Sequence, residues 1–241
     1  TDFGKGLVTL KDFFANYKFS DSVQIRVGQW KRPFSRQQIN SSSKLSLVGR
    51  AITDTLYGAG RDIGLALHNN YEKSPEFEWA VGVFNGTSVK PTIDTSITVD
   101  KVAEEVNASS KMSNTISRLR PAFVGRVGYN MGGIKGYCEG DQKGGDFRLA
   151  LGFGAMWFGN YTDDDDPTAL RTNLDFIMKV SGFSLSGAAY LAMDENGKGD
   201  LEMTSLGLHA QTSYLLSGSY QPVLRFEWEM PEEVSAANEE Q

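Results

Sequence analysis

Apolar and polar residues alternate with period two along most of the chain. Phe77, Trp79, Val81 and Val83 alternate with Glu78, Ala80 and Gly82, and Leu224, Phe226 and Trp228 alternate with Arg225, Glu227 and Glu229. Successive side chains of a strand point to opposite faces, so the pattern predicts strands with one apolar and one wet face. Similar runs begin near Leu7, Val23, Asp62, Phe123, Phe147, Asn173, Ser184 and Leu206, which makes about ten strands. The connections between them are alternately short and long. In an up-and-down arrangement, short turns then collect at one rim and long loops at the other. Only the Gly-rich link from Met131 to Gly145 is too long for its rim. The expectation is an all-β, antiparallel, up-and-down transmembrane β-barrel, with the apolar face toward lipid and the wet face lining a lumen. A soluble sandwich has no reason to sort its loops this way. Within the second long connection, from Asn85 to Leu119, Asp100 to Met112 is expected to form a short helix.

Composition is compatible with that architecture. The 241 residues are 40% hydrophobic, with a mean hydropathy of −0.34. No run of about 18 apolar residues is present to form an ordinary membrane helix. Barrel strands need none, because half of each is polar. The 26 glycines and the 11% of aromatic residues suit a crowded inner face and interfacial girdles. Residues 1–230 are expected to form one barrel domain, followed by a polar tail or truncated segment at 231–241. The chain starts at Thr1 with no basic-then-apolar leader, as a processed or trimmed form would.

Charge and reactive residues exclude several functions. A net charge of −6 argues against a nucleic-acid partner. The single cysteine, Cys138, permits no intrachain disulfide. The two histidines, His68 and His209, both fall on the inward phase and build neither a metal site nor a triad. With no G-x-S-x-G, H-E-x-x-H or P-loop motif, no enzyme activity and no cofactor are expected. Asp163, Asp164, Asp165 and Asp166 are the weak metal candidates, a run more commonly found as a solvated loop tip.

The wet phase carries Arg26, Arg126, Arg148, Lys179 and Arg225 together with Asp12, Asp62, Glu78, Asp175, Glu227 and Glu229. Fixed cations in a water-filled lumen would favour anions. Equally, these groups could neutralise one another as ion pairs that stiffen the wall, and phase alone leaves both open. The long connection from Lys31 to Arg61 adds Lys31, Arg32, Arg36, Lys44, Arg50 and Arg61, with Asp54 as its one acid. Folded inward, it would narrow the lumen and present cations there. Left outside, it would face lipopolysaccharide phosphates.

At this stretch a resemblance enters. LKDFFANYKFSDSVQIRVGQWKRPFSRQQI, followed by GAGRDIGLALHN, resembles the phosphate-selective porin O/P family. The residues that carry it are Arg26, Gly28, Gln29, Lys31, Pro33, Phe34 and Ser35, then Gly60, Arg61, Ile63 and Gly64. The resemblance implies an outer-membrane barrel of roughly 16 strands, usually trimeric, with an inward-folded loop at a cationic constriction. The ten or so strands visible here would be part of such a barrel. The resulting expectation is a porin of the bacterial outer membrane for small hydrophilic solutes, anion-preferring, with phosphate the solute the family name suggests. Arg26, Lys31, Arg32, Arg36, Lys44, Arg50, Arg61 and Arg126 are the candidate pore-lining, anion-binding residues. The expected partners are the lipid bilayer, lipopolysaccharide, small anions and two further copies of the chain. The alternative is a scaffold barrel that anchors a partner protein without an open channel.

Overall fold

A computed structural model describes residues 10–86, 92–100, 105–113, 121–159, 168–195, 201–217 and 220–236. Ten of its strands form one sheet in chain order, with β4 joined to β7 across an intervening ribbon: β1 (Phe13–Lys18), β2 (Gln24–Lys31), β3 (Arg61–His68), β4 (Phe77–Phe84), β7 (Ala122–Met131), β8 (Arg148–Phe158), β9 (Thr168–Val180), β10 (Phe183–Glu195), β11 (Leu201–Tyr214) and β12 (Val223–Ala236). Every pairing is antiparallel, and the β11–β12 register shifts once, between Thr204 and Leu206. The sheet is therefore all-β and up-and-down, as the alternation predicts.

Two expectations are corrected. Among the described residues of Asp100 to Met112 there is no helix. β5 (Thr92–Asp100) and β6 (Glu105–Ser113) pair instead as a separate two-stranded ribbon. The stretch is rich in Thr, Ser and β-branched residues, which favour extended backbone over helix. The last strand also does not stop at Met230 but continues through Pro231 to Ala236.

The sheet is inside out compared with one built for water. Leu224 is 74% exposed and Phe226 66% exposed, whereas Glu78 is 0% and Arg126 1% exposed. Along β3, Ile63, Leu65 and Leu67 are exposed while Asp62, Ala66 and His68 are buried, so the period-two phase places each side chain on the face predicted for it. Exposed apolar area costs roughly 25 cal/mol per Å² in water, so this face calls for an apolar solvent. β8 to β12 run for 11 to 14 residues, enough for the about 9–11 residues that span a bilayer at a tilt. Exposed Tyr17, Phe19, Phe77, Tyr129, Phe147, Tyr214 and Tyr220 gather at the short-turn rim. Toward the other rim, Phe123 and Trp157 stack at 5.8 Å.

Two segments cover the polar face. The first, residues 32–60, enters from the long-loop rim and forms α1 (Arg36–Ile39), a single turn at Ser42–Lys44 and α2 (Ile52–Tyr57). The second, residues 132–147, comes from the opposite rim, which explains the link that was too long for a simple turn. Its Ile134 is buried with Ala150 and Ile177. Small residues on β8 make room for the first segment. A Cβ added at Gly154 would lie 2.3 Å from the Phe34 carbonyl oxygen, whereas one added at Gly125 on the apolar face would meet nothing within 4 Å. Gly154→Val should therefore unseat residues 32–60 and expose them to protease in the folded protein, while Gly125→Val should leave the cleavage pattern unchanged.

Candidate functional site

The inward segment is positioned by a cap and a charge. Ser35, extended at φ −101° and ψ 146°, caps α1 by accepting a hydrogen bond from the Gln38 amide at 3.3 Å. Arg36 thus begins the helix, and both its backbone amide and its Nε donate to Asp175, at 3.1 and 2.8 Å. Asp175 also accepts two bonds from Arg126, at 2.7 and 3.0 Å. Arg126 donates in addition to Glu78 at 3.2 Å and to the Phe34 carbonyl at 2.8 Å. Glu78 accepts from Tyr137 at 2.7 Å and from Asn130 at 3.0 Å. The result is two guanidinium groups and two carboxylates, all buried, that tie β4, β7 and β9 to the inward segment. The Tyr137 ring lies 5.1 Å from the Arg36 guanidinium and 5.9 Å from that of Arg126. Burial pushes the Tyr137 phenol well above its ordinary pKa, so it stays a donor to Glu78.

α2 makes a second anchor. Asp54 accepts from Ser35 and, at 2.9 Å, from Tyr190. Thr53 is hydrogen-bonded to His209 at 2.9 Å, and the Ile52 amide donates to Glu227 at 2.6 Å. Tyr57 stacks on Tyr190 at 5.7 Å. Desolvation is the largest influence on the Asp54 carboxyl and raises its pKa, against the opposing hydrogen bonds from Ser35 and Tyr190. A third tie joins the two covering segments. Glu139 accepts from Gln37 at 2.9 Å, from the Ser46 amide at 2.8 Å and from Gln211 at 2.8 Å.

The sequence-predicted cations separate into two kinds. Arg36 and Arg126 meet at Asp175. Arg26 pairs with Glu72 at 3.0 Å, Arg61 with Asp12 at 3.0 Å, and Arg32 with Asp62 at 3.6 Å besides donating to the Ala59 carbonyl. Lys31 donates to the carbonyls of Ile39 and Asn40. Arg50 donates to those of Gln37 and Asn40, at 3.0 and 2.8 Å. Lys44 stands apart, exposed and with no ion pair among the described residues. His68 is bonded to Asn16 at 2.9 Å and accepts from the Asn70 amide at 2.9 Å, a structural role. Asp163, Asp164, Asp165 and Asp166 lie outside the described residues.

Lys44 borders a cavity that strand phase did not reveal as a unit. It measures about 490 Å³ and is lined by Lys44, Lys73, Lys135, Lys143, Arg148 and Lys179, with Glu72 and Asp141 as its acids. Arg148 pairs with Asp141 at 2.9 Å, and Lys179 donates to the carbonyls of Lys135 and Cys138. The ammonium groups of Lys44, Lys73, Lys135 and Lys143 have no acid partner among the described residues. Lys73, Lys135 and Lys143 sit in connections, where a period-two pattern carries no information about direction. A second cavity, of about 410 Å³, is lined by Arg26, Lys31 and Arg61 with Asp12 and Glu72 as its acids.

An antiparallel sheet with an apolar outer face, and a polar face covered by a segment folded in from the long-loop rim, is the wall architecture of a porin. Residues 1–112 match the family model of phosphate-selective porin O and P, which supports an outer-membrane porin and implies the bacterial outer membrane. The matched stretch contains β1 to β4 and the whole inward segment, including Arg36 and Asp54. No curated protein and no solved structure matches the chain.

Two outcomes follow from the network. Asp175→Ala leaves Arg36 and Arg126 buried against Glu78 alone and should cost about 3–5 kcal/mol, read as a fall in the denaturant midpoint in lipid. A loss below about 1 kcal/mol would show that the pairing is dispensable. Asp54 has a raised pKa in the folded chain. Its contribution to stability is therefore fully present below the ordinary carboxyl value and falls away as pH rises through the raised one. Protease resistance of residues 32–60 should decline across that window, and Asp54→Asn should flatten the decline.

Proposed function

We propose that this chain forms the wall of an outer-membrane porin that passes small hydrophilic anions by passive diffusion. The observation that carries the reading is the basic cavity on the polar face, where Lys44, Lys73, Lys135 and Lys143 have no neutralising partner among the described residues. Unpaired fixed cations lower the cost to an anion of shedding part of its hydration shell, and they raise its local concentration. The buried arginines play a different part. Arg36 and Arg126 are neutralised by Asp175 and Glu78, so they hold the inward segment and add little to the field in the water. Phosphate is one anion of suitable size and charge. The apolar outer face suits a bilayer with lipopolysaccharide at its outer rim and assembly as a homotrimer.

The test is ion selectivity in a planar bilayer under a KCl gradient, using the full-length protein. Replacing Lys44, Lys73, Lys135 and Lys143 together with Gln should lower the anion-to-cation permeability ratio several-fold. A reversal potential equal to that of the unaltered protein would overturn the reading.

A further inference from the structure

Glu72 and Tyr137 each line both cavities on the polar face, so they stand where one borders the other. Glu72 is the single acid common to the two, among otherwise mostly basic linings. We infer that Glu72 is a specificity-determining residue of the permeation path, whose carboxylate limits how tightly a passing anion is held at that border. The inference rests on the anion-path reading above.

The local structure fixes where this charge sits. Glu72 lies in the tight turn Tyr71–Lys73 between β3 and β4, flanked by Asn70 and Ser74 in the left-handed region at φ 60° and 55°. Tyr71 anchors the turn from beneath, buried edge-on to His68 at 5.7 Å and to Tyr137 at 6.2 Å. The Glu72 side chain is 42% exposed, while that of its partner Arg26, 3.0 Å away, is only 7% exposed. Arg26 has other supports. Its guanidinium lies 4.5 Å from the Phe14 ring centre and 5.8 Å from that of Trp30, and its Nε donates to Asn16 at 3.4 Å. Removing the Glu72 charge therefore leaves Arg26 in place and unneutralised, with Lys73 on the other side of the border.

A channel conducts only if binding is strong enough to admit an ion and weak enough to release it. Basic residues on both sides of the border supply the first condition. A carboxylate between them, facing water and the buried Arg26 at once, supplies the second.

The experiment compares full-length variants in planar bilayers, with KCl and then potassium phosphate as probes. Glu72→Gln keeps the shape and a hydrogen-bonding oxygen for Arg26. It should raise the anion-to-cation permeability ratio about threefold and make conductance saturate at a several-fold lower salt concentration. Glu72→Asp, which keeps the charge, should stay near the unaltered protein on both readouts. Asp21→Asn removes the same charge from the exposed β1–β2 turn, outside both cavities, and should change neither. A conducting Glu72→Gln pore with unchanged reversal potential and saturation would overturn the inference while leaving the anion path standing. A pore with no anion preference in the unaltered protein would overturn both.

Discussion

The arrangement depends on the pairing of one buried carboxylate, Asp175, with two guanidinium groups, Arg36 and Arg126. One comes from the inward segment and the other from the wall. Neither could be buried alone, because an isolated charge in a low-dielectric setting loses hydration that nothing replaces. Asp175 compensates both, and Glu78 balances the remaining charge. The same contact brings Arg126 to the Phe34 carbonyl, so the first turn of the inward segment is held by charge-assisted hydrogen bonds at backbone and side chain together.

Charge consequently has two uses in this chain. The buried charges of Arg36, Arg126, Glu78 and Asp175 form a compensating set and act as a fastener. Their geometry is closed, with the carboxylate oxygens of Glu78 and Asp175 bonded from several directions. The exposed lysines of the connections, Lys44, Lys73, Lys135 and Lys143, have no acid partner among the described residues and act on whatever passes in the water. The formal net charge of −6 reports neither use, because it averages over both and over the loops. A chain that is acidic overall can therefore present a basic cavity.

Much of the wall was legible in the sequence, and the reason is geometric. A strand turns each successive side chain over, so phase assigns a face without any knowledge of partners. That is why Glu78, Arg126, Asp175 and Lys179 could be placed on the polar face from pattern alone. Phase says nothing about what meets a residue across that face. The join between Arg36 and Asp175 needs residues 32–60 to fold inward, and nothing local fixes their direction. Lys73, Lys135 and Lys143 sit in connections, where no periodicity applies. β5 and β6 were missed although Ile93, Ile97 and Val99 share one phase, as do Val106, Ala108 and Met112, because the Ser, Thr, Asn, Lys and Glu around them read as a polar connection. Glu139, which ties the two covering segments together, has no local signature at all.

The contact between the Ile52 amide and Glu227 joins positions 175 residues apart. Residues 32–60 also take their seats from β4, β9, β11 and β12, strands formed by sequence well beyond them. Closing such long loops costs chain entropy, so the part of the seat that β9, β11 and β12 supply is complete only once those strands stand beside one another. The inward segment comes early in the chain but is seated in full only by strands that come late. A wall without those far strands would lack the Tyr190, His209 and Glu227 contacts that hold α2.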